Sequence, residues 1–190
     1  MSQSPSQSTP KSPSKLSIAD LIKKVEKEAV QPNPTLNDYL NGEAAEYFEA
    51  ISEAMKLIGE YKSGARGYDD LHQAEQDCIH LSAIHSYVSQ MVGYLQGMSS
   101  RAESSRKLYK SKYAIAIKYA RDEEERSGAV TKITEAEVDN ASRTLATEFY
   151  NEARDMEVIS RMMTAAYYSI GNFIDVLNSA CNRTSKEKTL

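Results

Sequence analysis

From Tyr68 onward apolar residues recur in steps of three and four, and no proline interrupts them. Leu81, Ile84, Val88, Met91, Leu95, Met98 and Ala102 form one such series, which keeps a single seam turned toward a partner helix. Gly93 and Gly97 fall inside it, as sites for a bend or for the close approach of another backbone. Ser127-Gly128 ends the pattern, with Gly128 suited to the residue just past a helix C-terminus. Thr134 and Glu137 then form a capping box, and Ile133 with Val138 supplies the hydrophobic staple that accompanies it. A second series follows in Met163, Ala166, Ile170, Phe173, Leu177 and Ala180. The spacing predicts one helix over 68–127 and another from Thr134 to about Asn182. Two long helices joined by so short a connection must lie antiparallel. A turn centred near Val130 places Lys110 opposite Phe149 and Met98 opposite 160–162.

Shorter elements precede this hairpin. Thr35 with Asp38 starts a helix carrying Leu36, Leu40, Phe48, Ile51, Met55 and Ile58, which the run Ser63-Gly64-Ala65-Arg66-Gly67 breaks. Ser17 with Asp20 caps an earlier one, where Ile18, Leu21, Ile22, Val25 and Ala29 keep helical spacing until Gln31-Pro32-Asn33-Pro34. A helix that short is marginal alone in water, so it must dock on its own chain or on a partner. Residues 1–15, MSQSPSQSTPKSPSK, have almost no apolar side chains and are expected to be a disordered tail. The predicted fold is all-α: a long, coiled-coil-like antiparallel helical hairpin with a preceding helix and a short N-terminal amphipathic helix. Its expected parts are the tail, a short helix and proline linker over 16–34, a helical domain over 35–182 and a flexible end over 183–190.

Composition narrows the functional classes. The five prolines all fall in the first 34 residues, which leaves helix as the default beyond them. No segment has the GxxxxGK[ST], GxGxxG, GxSxG or HExxH pattern, so neither an enzyme nor a bound cofactor is expected. His72, His80 and His85 are separated by eight and five residues, whereas two ligands on one helix face need three or four. Cys78 and Cys181 stand far apart without a CxxC pattern and read as free thiols in a reducing compartment. No apolar run approaches a membrane span, and no signal-peptide core is present. A soluble cytoplasmic protein is expected.

The net charge of −4 confines any nucleic-acid binding to a local patch. Such a patch exists. Between residues 101 and 121, Arg101, Arg106, Lys107, Lys110, Lys112, Lys118 and Arg121 are opposed only by Glu103. On a helix Lys107, Lys110, Lys118 and Arg121 fall within an arc of about 80°. Leu108, Ile115 and Tyr119 cluster on another side, the one that packing should occupy. Tyr109, Tyr113 and Tyr119 are interleaved with the cations, a mixture that can neutralise phosphates and offer rings to unstacked bases. The competing reading is internal pairing, because Glu148 and Glu152 on the return helix fall about opposite Lys110 and Lys107. The run 122–125 carries four adjacent carboxylates that point all round a helix and should stay solvated.

From Ser82 onward the chain resembles the UvsY family of recombination mediators from tailed phages. The resemblance rests on the stretch RKLYKSKYAIAIKYARDEEERSG, a short loop, and the helix ITEAEVDNASRTLATEFYNEARDMEVISRMMTAAYYSIGNFIDVLNSACNR. It covers roughly the C-terminal 100 to 110 residues and is one of pattern and element length. It implies a ring-forming homo-oligomer that binds single-stranded DNA and helps a recombinase displace single-strand-binding protein. Carried over, DNA binding falls to the seven cations named above, while Tyr109 and Tyr113 are expected as stacking rings from their interleaving with those cations. Oligomerisation falls to Met156, Ile159, Met163, Ala166, Ile170, Phe173 and Leu177, a seam with more apolar surface than one partner helix should cover. The acidic overall balance and the extra N-terminal 70 or so residues depart from the family's pattern. A different class explains the seams equally well: a structural or assembly component of a phage particle, or another coiled-coil adaptor, whose hairpin serves protein contacts only.

Overall fold

The computed structural model describes residues 17–27, 42, 44–128 and 132–187. Of these, 88% are helical and none lies in a strand. Among the described residues five helices follow one another: α1 (Ile18–Glu26), α2 (Ala45–Lys62), α3 (Leu71–Arg126), α4 (Glu135–Leu145) and α5 (Thr147–Glu187). The all-α architecture is as the periodicity predicts. The expected disordered tail, the proline linker and the start of the second helix at Thr35 lie outside the described residues.

The chain forms two compact units, one within 32–104 and 149–190, the other within 1–31 and 105–148. In the first unit α2, the N-terminal part of α3 and α5 enclose one apolar core. Leu81, Val88, Leu95, Met163, Ile170 and Leu177 are fully buried in it, so both three-and-four seams meet as expected. The helices run antiparallel. The Cys78 Sγ donates to Asn178 Oδ1 at 3.2 Å, and seven residues on, the His85 ring stacks on Tyr167 with centroids 4.1 Å apart. α2 turns a slightly different face inward than its sequence suggests. Ala54, Leu57, Ile58 and Tyr61 are buried, while Phe48, Ile51 and Met55 are only partly covered.

The α2–α3 turn is held by a buried carboxylate. Asp77, 6% exposed, accepts from Tyr61 Oη at 2.7 Å, from Arg66 Nη1 at 2.7 and 2.9 Å and from Gln73 Nε2 at 2.9 Å. Burial pushes this carboxyl up, but the hydrogen bonds from Tyr61, Gln73 and Arg66 outweigh it and hold it below its ordinary value. Burial and Asp77 together push the Tyr61 hydroxyl up. Gly64, at φ +75°, gives this turn a backbone shape that a side chain would strain.

In the second unit α3, from Ser105 to Arg126, runs antiparallel to α4, and α1 packs on α4. Leu21, Val25, Tyr113, Ile117, Ala120, Val138 and Ala141 are among its buried side chains. The predicted caps are present. Thr134 Oγ1 accepts from Glu137 N and Glu137 Oε2 accepts from Thr134 N at 2.7 Å, and Ser17 with Asp20 makes the same box on α1. The short N-terminal helix is therefore docked on its own chain, where Lys24 Nζ lies 2.7 Å from Glu123 and 3.4 Å from Glu124.

Two boundaries differ from the periodicity. The return helix is interrupted at Ala146, with φ −92° and ψ 11°. Around it Ser142, Thr144 and Thr147 hydroxyls donate to backbone carbonyls one turn back, the local competition by which such side chains loosen a helix. At the other end α5 continues to Glu187, past the predicted stop near Asn182.

Gly93 and Gly97 admit no other described backbone, since an added Cβ would meet nothing within 4 Å at either. Each costs helix stability for no packing return. Replacing both by Ala should raise stability by ~1–2 kcal/mol in urea unfolding. Gly171→Ala should gain much less, because its Cβ would lie 2.9 Å from His85 Nε2 and would push that ring off Tyr167.

Candidate nucleic-acid interface

α3 presents three faces along 105–126. The inward face buries Tyr113, Ile117 and Ala120. The second face, about a quarter turn round the helix, is the basic edge. Here Lys110 Nζ lies 2.7 Å from Asp139 Oδ1, and Lys118 Nζ lies 2.6 Å from Glu135 Oε2. Arg121 reaches Glu135 at 3.6 Å and its neighbour Asp122 at 3.3 Å. Arg143 completes the group with a bond of 3.0 Å to Asp139. The Lys118 ammonium holds the Glu135 carboxyl below its usual value, and the Lys110 ammonium does the same for Asp139.

The expected opposition of Lys110 to Phe149 and Glu148 is therefore corrected. Lys110 meets Asp139, and Lys118 and Arg121 meet Glu135, because α4 begins level with Lys118 and Arg121 and not at the end of α3. The capping box at Thr134 fixes that start. The last turn of α3 extends beyond it, and its Glu123 and Glu124 take Lys24 of α1. Glu123 and Glu124, expected to stay solvated, thus have a partner on α1.

The remaining candidates scatter over different environments. Arg101 and Lys107 are exposed and Arg106 is half-buried. Lys112 is exposed and sits over the Tyr109 ring, 5.0 Å from its centroid. Tyr109 is half-buried against Tyr113, with centroids 6.3 Å apart. Tyr113 is only 6% exposed, so its ring cannot stack on a base while the helix stays packed. The structure brings Lys110, Lys118 and Arg121 together as a group, and it brings them to carboxylates.

The seam assigned to oligomerisation is also placed differently. Met156, Ile159, Met163, Ala166, Ile170, Phe173 and Leu177 are all buried by the chain itself. The expectation that one partner helix leaves apolar surface uncovered fails because α2 supplies a second, with Tyr61 packed on Phe173 at 5.6 Å between ring centroids.

Exposed along 105–126 is a set that helical spacing groups together and assigns to packing. Leu108, Ile115 and Tyr119 are 51%, 52% and 74% exposed. Two apolar stripes compete on this helix, and the sequence alone does not say which one faces inward. On α5 Val158, Met162, Tyr168 and Val176 form a second outward series.

Among the described residues no group of three or more His, Cys, Asp or Glu is placed to hold a metal ion, and no helix is long and apolar enough to cross a membrane. Cys78 and Cys181 are free. No family model, no curated protein and no solved structure matches this chain.

Proposed function

We propose that this chain is a helical assembly or adaptor protein whose units meet other protein surfaces. The observation that carries the reading is the closure of Lys110, Lys118 and Arg121 against Glu135 and Asp139. A basic edge committed to a neighbouring helix has its charge accounted for without a polyanion. Large apolar side chains remain on the outer faces of α3 and α5, which is the usual mark of a surface for protein contacts.

A second reading, the single-stranded DNA mediator that the family resemblance implies, has specific support in the exposed cations Arg101, Lys107 and Lys112. The exposed Tyr119 ring, and not Tyr113, would be its stacking platform. Exposed ion pairs contribute only ~0–1 kcal/mol each, so a polyanion could compete for the paired lysines as well.

Fluorescence anisotropy with labelled oligo-dT separates the two. The comparison is between the wild type and the combined Lys107→Ala, Lys110→Ala and Lys118→Ala variant at low and moderate salt. The protein-contact reading expects equal, weak binding by both, with helical content retained. Tight binding by the wild type that the triple variant loses would overturn it in favour of the mediator.

A further inference from the structure

The outward face of α3 has an internal symmetry that names its own partner. Lys112, Ile115, Tyr119 and Asp122 are all exposed and follow one another at steps of three, four and three, within an arc of about 80°. Their order along the helix is cation, apolar, apolar, anion. Among the described residues the contacts of the two charged ends lie within α3 itself: Lys112 over the Tyr109 ring and Asp122 with the adjacent Arg121 at 3.3 Å. Lys112 and Asp122 are themselves exposed, so both contacts are weak and can be exchanged without disturbing the core.

We propose that this face pairs antiparallel with the same face of a second copy of the chain. The inference rests on the protein-contact reading above and names one partner for it. Because the steps are palindromic, an antiparallel pair centred level with Ile117 sets each Lys112 against Asp122 of the other copy and each Ile115 against Tyr119. Leu108 then falls level with Arg126, whose aliphatic stem can cover it. Two opposite-charge pairs and two apolar pairs form at once, as a two-fold interface requires. In a parallel arrangement that match disappears: parallel copies would oppose Lys112 to Lys112 and Asp122 to Asp122. The buried patch is small, so association is expected in the micromolar range.

Sedimentation equilibrium of the full chain over roughly 1–100 μM tests this. The wild type should show a concentration-dependent dimer. Ile115→Ser with Tyr119→Ser should raise the dissociation constant at least about tenfold, and circular dichroism should be unchanged because both side chains are outside the core. Lys112→Asp and Asp122→Lys should each weaken the dimer. An equimolar mixture of those two variants, or both changes in one chain, should restore it, since a cation again faces an anion. A wild type that stays monomeric would overturn the pairing. So would a dimer indifferent to the serine pair, or charge exchange without rescue. The protein-contact reading fails on a different result, tight oligo-dT binding, so the two failures are distinguishable.

Discussion

Phe173→Asp should unfold the larger unit and not release folded subunits from an assembly. Phe173 is 7% exposed in the core of α2, α3 and α5, with the Tyr61 ring against it. Removing a buried aromatic side chain costs ~3–5 kcal/mol, and the carboxylate left in its place must also be desolvated. A loss of ~5 kcal/mol or more is comparable with the whole stability of an ordinary domain. Met162→Asp on the same helix is the control. Its side chain is 60% exposed, and the change should stay within ~0.5 kcal/mol. Urea unfolding followed by circular dichroism checks both. A Phe173→Asp variant with wild-type helicity and midpoint would mean that this side chain is not where the core needs it.

Asp77→Ala is expected to cost ~2–4 kcal/mol, through the hydrogen bonds it removes and the groups it strands. Tyr61 Oη would lose its acceptor inside the core, and Arg66 would keep Glu60, at 2.7 Å. The side chain of Arg66 is 34% exposed, so water can still reach it, which keeps the expected cost below that of a fully buried pair. The pH dependence has a definite sign. Because the folded state holds the Asp77 carboxyl below its ordinary value, its contribution is present above the unfolded pKa of about 4 and is lost as pH falls through the folded one. The stability gap between wild type and Asp77→Asn should therefore be constant from neutral pH to about 5 and shrink in more acid solution. A gap that widens in acid would contradict the assignment of the charged form to the folded state.

The seams, both capping boxes and the glycine turns were legible in the sequence because each depends on residues a few positions apart. Leu81 to Leu95 and Met163 to Leu177 face inward as their spacing requires, and Thr134 starts α4 where its capping box says. The failures are all non-local. Phe173 and its neighbours read as a surface for other subunits because nothing local reveals that α2 covers them. Leu108, Ile115 and Tyr119 read as the packed stripe because the rival stripe of Tyr113, Ile117 and Ala120 fits the helical period equally well. Lys110 was assigned Glu148 by counting from the centre of the turn. The connection between α3 and α4 displaces that count, so Asp139 arrives instead. The Asp77 cluster carried no sequence signal at all: a lone Asp, Arg and Tyr at irregular spacing become one network only when the α2–α3 turn folds.

The central claim is that the basic edge of α3 is spent on α4. The salt dependence of oligo-dT affinity for the wild-type chain tests it most directly, because each phosphate neutralised on a single strand adds about −0.7 to the slope of log affinity against log salt. With Lys110, Lys118 and Arg121 held by carboxylates, binding should be weak and the slope no steeper than about −2. A tight complex with a slope near −5, the value for about seven phosphates neutralised, would contradict the account.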